Sequence, residues 1–322
     1  MPEQRRDPTT GRWTLLAGAR GDRPFATLKV PPLRTPPAQC PFCPGHESHT
    51  LPELARVEGP EGWRVRAFPN LFPALRVEEG TGVSSHGPWD AAEGCGAHEV
   101  IVETPLHDVP PWHTEGQLAL ALGVARDRLA DLRGDRRLRY LGWFRNHGAL
   151  AGASQSHSHA QILATAQVPA TVVEMAERLA AHQARAQHDL IGDLLRHSRD
   201  EGQRMLWEDA EVAAFCPFAP RFPFEVWLVP KAFQPHLADA SDATLASLGA
   251  AMSWVMRRLD HCLDHPAMST LLYAAPEGPP HGFRWHIRVA PRLTALGGWE
   301  VGQDAAILSV SPEESAATLR AV

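Results

Sequence analysis

The 322-residue chain lacks any run approaching the roughly 18 apolar residues that span a bilayer, and its start, Met1-Pro2-Glu3-Gln4-Arg5-Arg6-Asp7, has no apolar segment behind a basic one. Both absences argue against a membrane span and a secretory leader, and the expected setting is cytoplasmic. Positive charge is also short. Against 37 Asp and Glu there are 31 Lys and Arg, a net charge of −6, which disfavours a protein held to nucleic acid by its overall charge. A small-molecule partner fits better. Cysteine is scarce as well: five in a chain of this length argue against a disulfide framework and leave thiols for a metal or for reduced burial. What the chain does have is 44% apolar residues, enough for a sizeable core, and 17 histidines, more than packing alone calls for. Its length predicts about two domains of roughly 150 residues each.

Along the chain, Arg12–Leu16 reads as a strand, followed by a basic turn with Arg20 and Arg23 and a proline-rich connector from Pro31 to Pro37. Trp63–Phe68 alternates like a strand and runs into Pro69-Asn70-Leu71-Phe72-Pro73, where two prolines forbid regular structure. The Gly/Ser-rich stretch 81–96 reads as a loop. Beyond it, one pattern occurs twice. The first copy is a strand at Glu99–Glu103, a helix over 114–132, and strands at 139–145 and 157–163. The second has a strand at 225–229, a helix over 242–263, and strands near 269–274 and 285–289, with the interval from Glu99 to His159 repeated from Glu225 to His286 to within one residue. Ala170–Glu201 between them reads as helix. The expected fold class is α+β, two tandem units of antiparallel sheet and helix, divided as 1–168 and 169–322.

Cys40-Pro41-Phe42-Cys43 has the spacing that lets two thiolates reach one tetrahedral ion. Alone it is half a site, and two ordinary thiols or a redox pair remain open readings; His107 and His157 are candidates for the other half, and thiolates with imidazoles are a zinc combination. In Ser156-His157-Ser158-His159-Ala160-Gln161, an extended strand would turn His157, His159 and Gln161 to one face. The lead-ins Asn146-His147-Gly148 and Gly152-Ala153-Ser154 offer backbone amides and small side chains to phosphate oxygens.

Asp7-Pro8-x-x-Gly11-x-Trp13, Arg20-x-x-Arg23-Pro24, Cys40-x-x-Cys43, Phe68-Pro69-Asn70, His98-Glu99-Val100-Ile101-Val102, His157-x-His159-x-Gln161 and Trp285-His286-Ile287-x-x-x-Pro291-Arg292-Leu293 occur in that order. The set resembles the galactose-1-phosphate uridylyltransferase family, the transferase branch of the histidine-triad superfamily, over residues 5 to 302. The resemblance implies histidine-triad-like units and a nucleotidyl transfer in which His159 is the nucleophile, carrying the nucleotidyl group covalently in a two-step, ping-pong reaction. It implies that Gln161 donates hydrogen bonds to the phosphoryl oxygens without titrating, and that Cys40, Cys43, His107 and His157 ligate one structural zinc. It assigns Asn70, Asn146, Gly152 and Ser154 to the ribose and phosphates, Arg20 and Arg23 to the phosphates, and Glu300 to sugar hydroxyls of the neighbouring subunit's substrate. A homodimer acting on a nucleotide sugar and a hexose 1-phosphate follows.

There are also departures. Aligning the copies puts Phe233 opposite His107, Arg284 opposite His157 and Arg288 opposite Gln161, so the second unit lacks the nucleophilic set and one metal per chain is expected. Ser158 stands where the best-known uridylyltransferases have proline, and Leu71 where some have an acidic residue. A similar His-Ser-His occurs in ADP-glucose phosphorylase-like members, so transfer from UDP-glucose to galactose 1-phosphate stands beside adenylyl transfer to phosphate. A nucleotide-sugar hydrolase is disfavoured by Gln161, and a catalytically silent binder by the retained His157 and His159.

Overall fold

Alternating apolar and polar residues build most of the strands, and a computed structural model, which describes residues 2–22, 31, 33–278 and 282–322, arranges them in an α+β fold. In chain order the elements are β1 (Glu3–Arg6), β2 (Trp13–Leu16), β3 (Ala55–Gly59), β4 (Gly62–Pro69), β5 (Val83–His86), β6 (Trp89–Ala92), β7 (Gly96–Val102), α1 (Gln117–Leu132), β8 (Tyr140–His147), β9 (His159–Thr165), α2 (Ala170–Ala186), α3 (Leu190–Glu201), β10 (Met205–Glu208), β11 (Val212–Phe215), β12 (Val226–Pro230), α4 (Asp242–Leu263), β13 (Met268–Tyr273), β14 (His286–Pro291), α5 (Gly298–Gln303), β15 (Ala306–Leu308) and α6 (Pro312–Arg320). Among the described residues, one sheet has ten strands in the order β10-β11-β12-β14-β13-β8-β9-β7-β4-β3, with a smaller sheet of β1, β2 and β15 and the hairpin β5-β6.

The repeated pattern survives as strand order. Outward from the central antiparallel pair, one half runs β8-β9-β7-β4-β3 and the other β13-β14-β12-β11-β10, with Asn146 opposite Ser269 across the seam. On one face lie α1 and α4, packed on each other and on Ile101, Ala160, Ile162, Ile287 and Val289. The strand period of two therefore sends His98, Val100, Val102, His159 and Gln161 to the opposite face. Over the C-terminal half, α2 and α3 cover that opposite face, setting Met175, Leu179, Ile191 and Leu195 against Phe215, Trp227 and Val229. Over the N-terminal half it receives Phe42, packed on Trp63, Phe68, Val100 and Val102.

Two expectations need correction. The segment 170–201 is two helices rather than one: Gln187 sits in the left-handed region at φ 62°, and Asp189 restarts the chain as an N-cap, accepting from Gly192 N at 2.7 Å. The stretch read as a loop at 81–96 holds β5-β6, paired from Val83↔Ala92 to His86↔Trp89, and Gly87 at φ 59° supplies the positive angle its two-residue turn requires.

Candidate active site and metal cluster

Proline at 41 and 44 stiffens the knuckle that carries Cys40 and Cys43, while β9 is entered through His157. The structure brings Cys40, Cys43, His107 and His157 together with their ligand atoms all within 4.8 Å of one another. Cys43 Sγ lies 3.1 Å from His107 Nδ1 and 3.7 Å from His157 Nδ1, and Cys40 Sγ lies 3.6 Å from His157 Nδ1. A tetrahedral ion with sulfur at about 2.3 Å and nitrogen at about 2.0–2.1 Å sets neighbouring S and N donors about 3.5 Å apart, so the geometry fits a bound metal. The tautomers fit as well. His107 Nε2 donates to Thr35 O at 2.6 Å and His157 Nε2 to Thr104 O at 2.7 Å, which leaves both Nδ1 lone pairs facing the sulfurs. Burial, with help from neighbouring rings, takes His157 down to about 4, and burial beside Cys40 pushes the Cys43 thiol up to about 11. The His157 ring is neutral as a ligand must be; the Cys43 thiol needs a cation's field to ionise.

Two residues on, His159 is 6% exposed on the opposite face of the sheet from α1. Its Nδ1 donates to the His157 carbonyl at 2.9 Å, leaving Nε2 as the ring's acceptor, and burial holds its pKa below the usual histidine value. A neutral imidazole with Nε2 available is a nucleophile at neutral pH. The Phe42 ring packs 5.2 Å from the His159 ring and so ties the Cys40–Cys43 knuckle to it.

Gln161 is held by a residue to which the sequence alone assigned no role. Ala74 N donates to His98 Nδ1 at 3.1 Å, so His98 carries its proton on Nε2 and donates it to Gln161 Oε1 at 2.7 Å. The Gln161 oxygen is thereby occupied and its NH₂ remains to donate. Asn70 is beside them, with Nδ2 3.2 Å from His98 Nε2 and Oδ1 accepting from Phe72 N at 2.9 Å. Beneath the strand, Ser158 Oγ donates to Glu103 Oε2 at 3.1 Å, and Glu103 makes a fully buried, two-pronged pair with Arg145, whose Nε donates to it at 2.7 Å. Thr35, from the proline-rich connector, donates to Ser156 Oγ and Gln155 Oε1 and accepts from His107, stitching three segments together.

The remaining predicted residues are more dispersed. Asn146, next to last in β8, is on the same face as His159, and a Cβ at Gly152, where φ is 87°, would come within 3.7 Å of its Nδ2. Ser154 is exposed on the following loop. Arg20 lies on the short turn Gly18–Asp22, and Arg23 falls outside the described residues. Glu300 is not brought to the others within the chain: on α5 its carboxylate accepts from Gly297 N at 2.7 Å and Ile307 N at 3.3 Å.

Residues 1–169 match the family model for the N-terminal domain of galactose-1-phosphate uridyl transferase, just over half of the chain. The chain belongs to the galactose-1-phosphate uridylyltransferase family. It is 29% identical to the ADP-glucose phosphorylase of Arabidopsis thaliana, over 100% of this chain and 93% of that protein. It is 28% identical to the galactose-1-phosphate uridylyltransferase of Thermotoga maritima, over 99% of this chain and 98% of that protein. The crystal structure of the Arabidopsis phosphorylase with bound ADP-glucose superposes with a TM-score of 0.84 at 27% identity, covering 100% of this chain and 99% of that one. The protein is a nucleotidyltransferase. No helix among the described residues is long and apolar enough to cross a membrane.

Proposed function

We propose that this chain moves a nucleotidyl group from a nucleotide sugar to a phosphate-bearing acceptor through a covalent bond to His159. The observation that carries it is the state of that ring: neutral, oriented by the His157 carbonyl, with Nε2 as the acceptor nitrogen on the face that holds Gln161. In the first step Nε2 attacks the α-phosphorus, the P–N bond forms and the P–O bond to the departing sugar phosphate breaks. In the second an acceptor phosphate oxygen attacks the same phosphorus, and His159 is released unchanged. The Gln161 NH₂, aimed by His98, donates to the phosphoryl oxygens as charge builds, and having no proton to exchange it does not activate water. Asn70, Asn146, Gly152, Ser154, Arg20 and Arg23 hold the nucleotide and its phosphates. Glu300, whose carboxylate caps the start of α5, serves the substrate of a second copy in this reading.

Family membership supports UDP-glucose as donor and galactose 1-phosphate as acceptor. The second reading, ADP-glucose with inorganic phosphate as acceptor, is favoured by Ser158 between the histidines and by Leu71, which offers no acceptor to a uracil N–H. The Cys40, Cys43, His107 and His157 set suits zinc, whose role there is to fix the strand that presents His159. The catalytic unit in this reading is 1–168, and 169–322 is its remodelled copy. Intact-protein mass after brief mixing with UDP-glucose or with ADP-glucose, acceptor omitted, tests the proposal. A uridylyl or an adenylyl adduct, absent in His159→Ala, supports it and names the base; no adduct from either donor overturns it.

A further inference from the structure

We infer that the C-terminal half carries a second anion-binding cavity, built around Arg288 and Arg292, which takes a phosphate or phosphate monoester independently of His159. A cavity of about 400 Å³, within the usual size of small-molecule sites, opens between the N-terminal segment and the β13-β14 face. Four arginines line it: Arg12, Arg221, Arg288 and Arg292. So do three carboxylates, but all three are already engaged. Asp7 accepts from Thr9 N and from the hydroxyls of Thr9 and Thr10, each at 2.8 Å. Glu225 accepts from Arg221 N at 2.8 Å, Phe222 N at 3.1 Å and Trp227 Nε1 at 2.7 Å. Asp304 is shared by the side chains of Arg12 and Arg221.

Arg288 and Arg292 have no ion pair among the described residues. Arg288 is 7% exposed; its Nε donates to His286 Nε2 at 3.1 Å and its Nη2 to Thr9 Oγ1 at 3.3 Å, both neutral acceptors. Arg292 lies over the Phe222 ring, 4.7 Å from its centroid, and its Nε is buried with no hydrogen-bond partner. Burial, and then the neighbouring Arg221 charge, lower its pKa. The Arg288 guanidinium stacks 4.0 and 4.1 Å from the Trp227 and Tyr273 ring centroids with N–H donors left over, and such planar forks match phosphate oxygens in pairs. The spare donors therefore point to an anion, small enough for the cavity, as the missing partner. Three strand steps separate β9 from β14, roughly 14 Å at the usual strand spacing, so one phosphate group cannot serve both sites.

Calorimetric titration of the full chain with inorganic phosphate, and separately with glucose 1-phosphate, at fixed ionic strength tests this. In Arg292→Gln, phosphate affinity at this site is expected to fall about tenfold or more, as for a lost charge-assisted hydrogen bond, while nucleotidylation of His159 read by mass stays at the wild-type level. Arg292→Lys, which keeps the charge and loses the fork, should fall between them, and melting curves of both variants without phosphate control for folding. Binding of phosphate alone identifies the free ion as occupant; binding of both identifies a monoester site. An unchanged isotherm in Arg292→Gln, or equal losses of phosphate binding and of His159 nucleotidylation, overturns the inference.

Discussion

Strands β9 and β14 occupy the same place in the two halves of the large sheet, and each presents one histidine whose Nδ1 faces the carbonyl two residues back: His159 to His157 O at 2.9 Å, His286 to Arg284 O at 3.3 Å. They differ in what happens at Nε2. At His159 the next residue on that face is Gln161, turned away to His98; at His286 it is Arg288, whose Nε donates into the ring nitrogen. His286 is then sealed between Trp227 and Tyr273, with ring centroids 4.9 and 5.3 Å away. The metal ligands have counterparts too. Where His107 meets His157, Phe233 meets Arg284 by a cation–π contact at 5.7 Å, and Arg284 is anchored to Asp189 by two hydrogen bonds of 2.9 and 2.7 Å. One half uses a metal-type cluster to fix the strand beside its histidine, and the other uses an ion pair reaching to the cap of α3. A histidine in this frame is available to attack an electrophile only when its second nitrogen is left open.

The sharpest way to break this comparison is at the histidines. His159→Ala should lower transfer by roughly 10³-fold or more and abolish the covalent adduct, whereas His286→Phe should leave adduct formation intact; wild-type adduct yield in His159→Ala would end the argument. Next come the strand anchors. Arg284→Ala breaks a buried pair and should cost about 3 kcal/mol, about 4 °C in Tm, with metal content unchanged. Cys40→Ala should lower both Tm and metal content by elemental analysis. Equal metal loss in the two would erase the distinction between the halves.

A pH titration of stability is the third. Burial, and then the Arg288 charge, hold His286 well below 6.5. The unfolded chain therefore takes up a proton there that the folded chain refuses, and stability is full above about 6.5 and falls as pH drops, by about 1.4 kcal/mol per pH unit for this ring. Denaturant midpoints between pH 7 and 5 should show that slope, reduced in His286→Phe. Smaller still, His98→Phe removes the donor that orients Gln161 and should slow transfer about tenfold without changing the adduct's mass. Ser158→Ala, which frees only the Glu103 contact, should cost about 1 kcal/mol of stability.

Much of this contrast was legible in the sequence because it rests on periodicity. The two copies and the helices 117–132 and 242–263 follow from spacing that the structure reproduces within a few residues, while the full set Cys40, Cys43, His107 and His157 came from the family resemblance, spacing alone giving half of it. Alignment of the copies set Phe233 and Arg284 at the places of His107 and His157, and the structure adds that the two touch. What the sequence concealed were contacts without local cause. His98 and Gln161 are 63 positions apart, and Thr35 and His107 are 72 apart, each joined only by strand pairing or loop passage. The break at Gln187 has no glycine or proline to announce it, since the left-handed residue is a glutamine. Glu300 reads in sequence as a free carboxylate, and its engagement with Gly297 appears only once α5 is formed.

The seam between β8 and β13 gives the second half a task that its closed histidine hides. Asn146 faces Ser269 across that seam, so β8, the strand next to β9, has its outer edge paired by the other half. Severed at 168, the first copy would present β8 as a bare edge of unpaired amides and carbonyls, open to self-association. The second half is thus a permanent partner strand, and the fold makes internal a contact that a first half alone would have to make between chains.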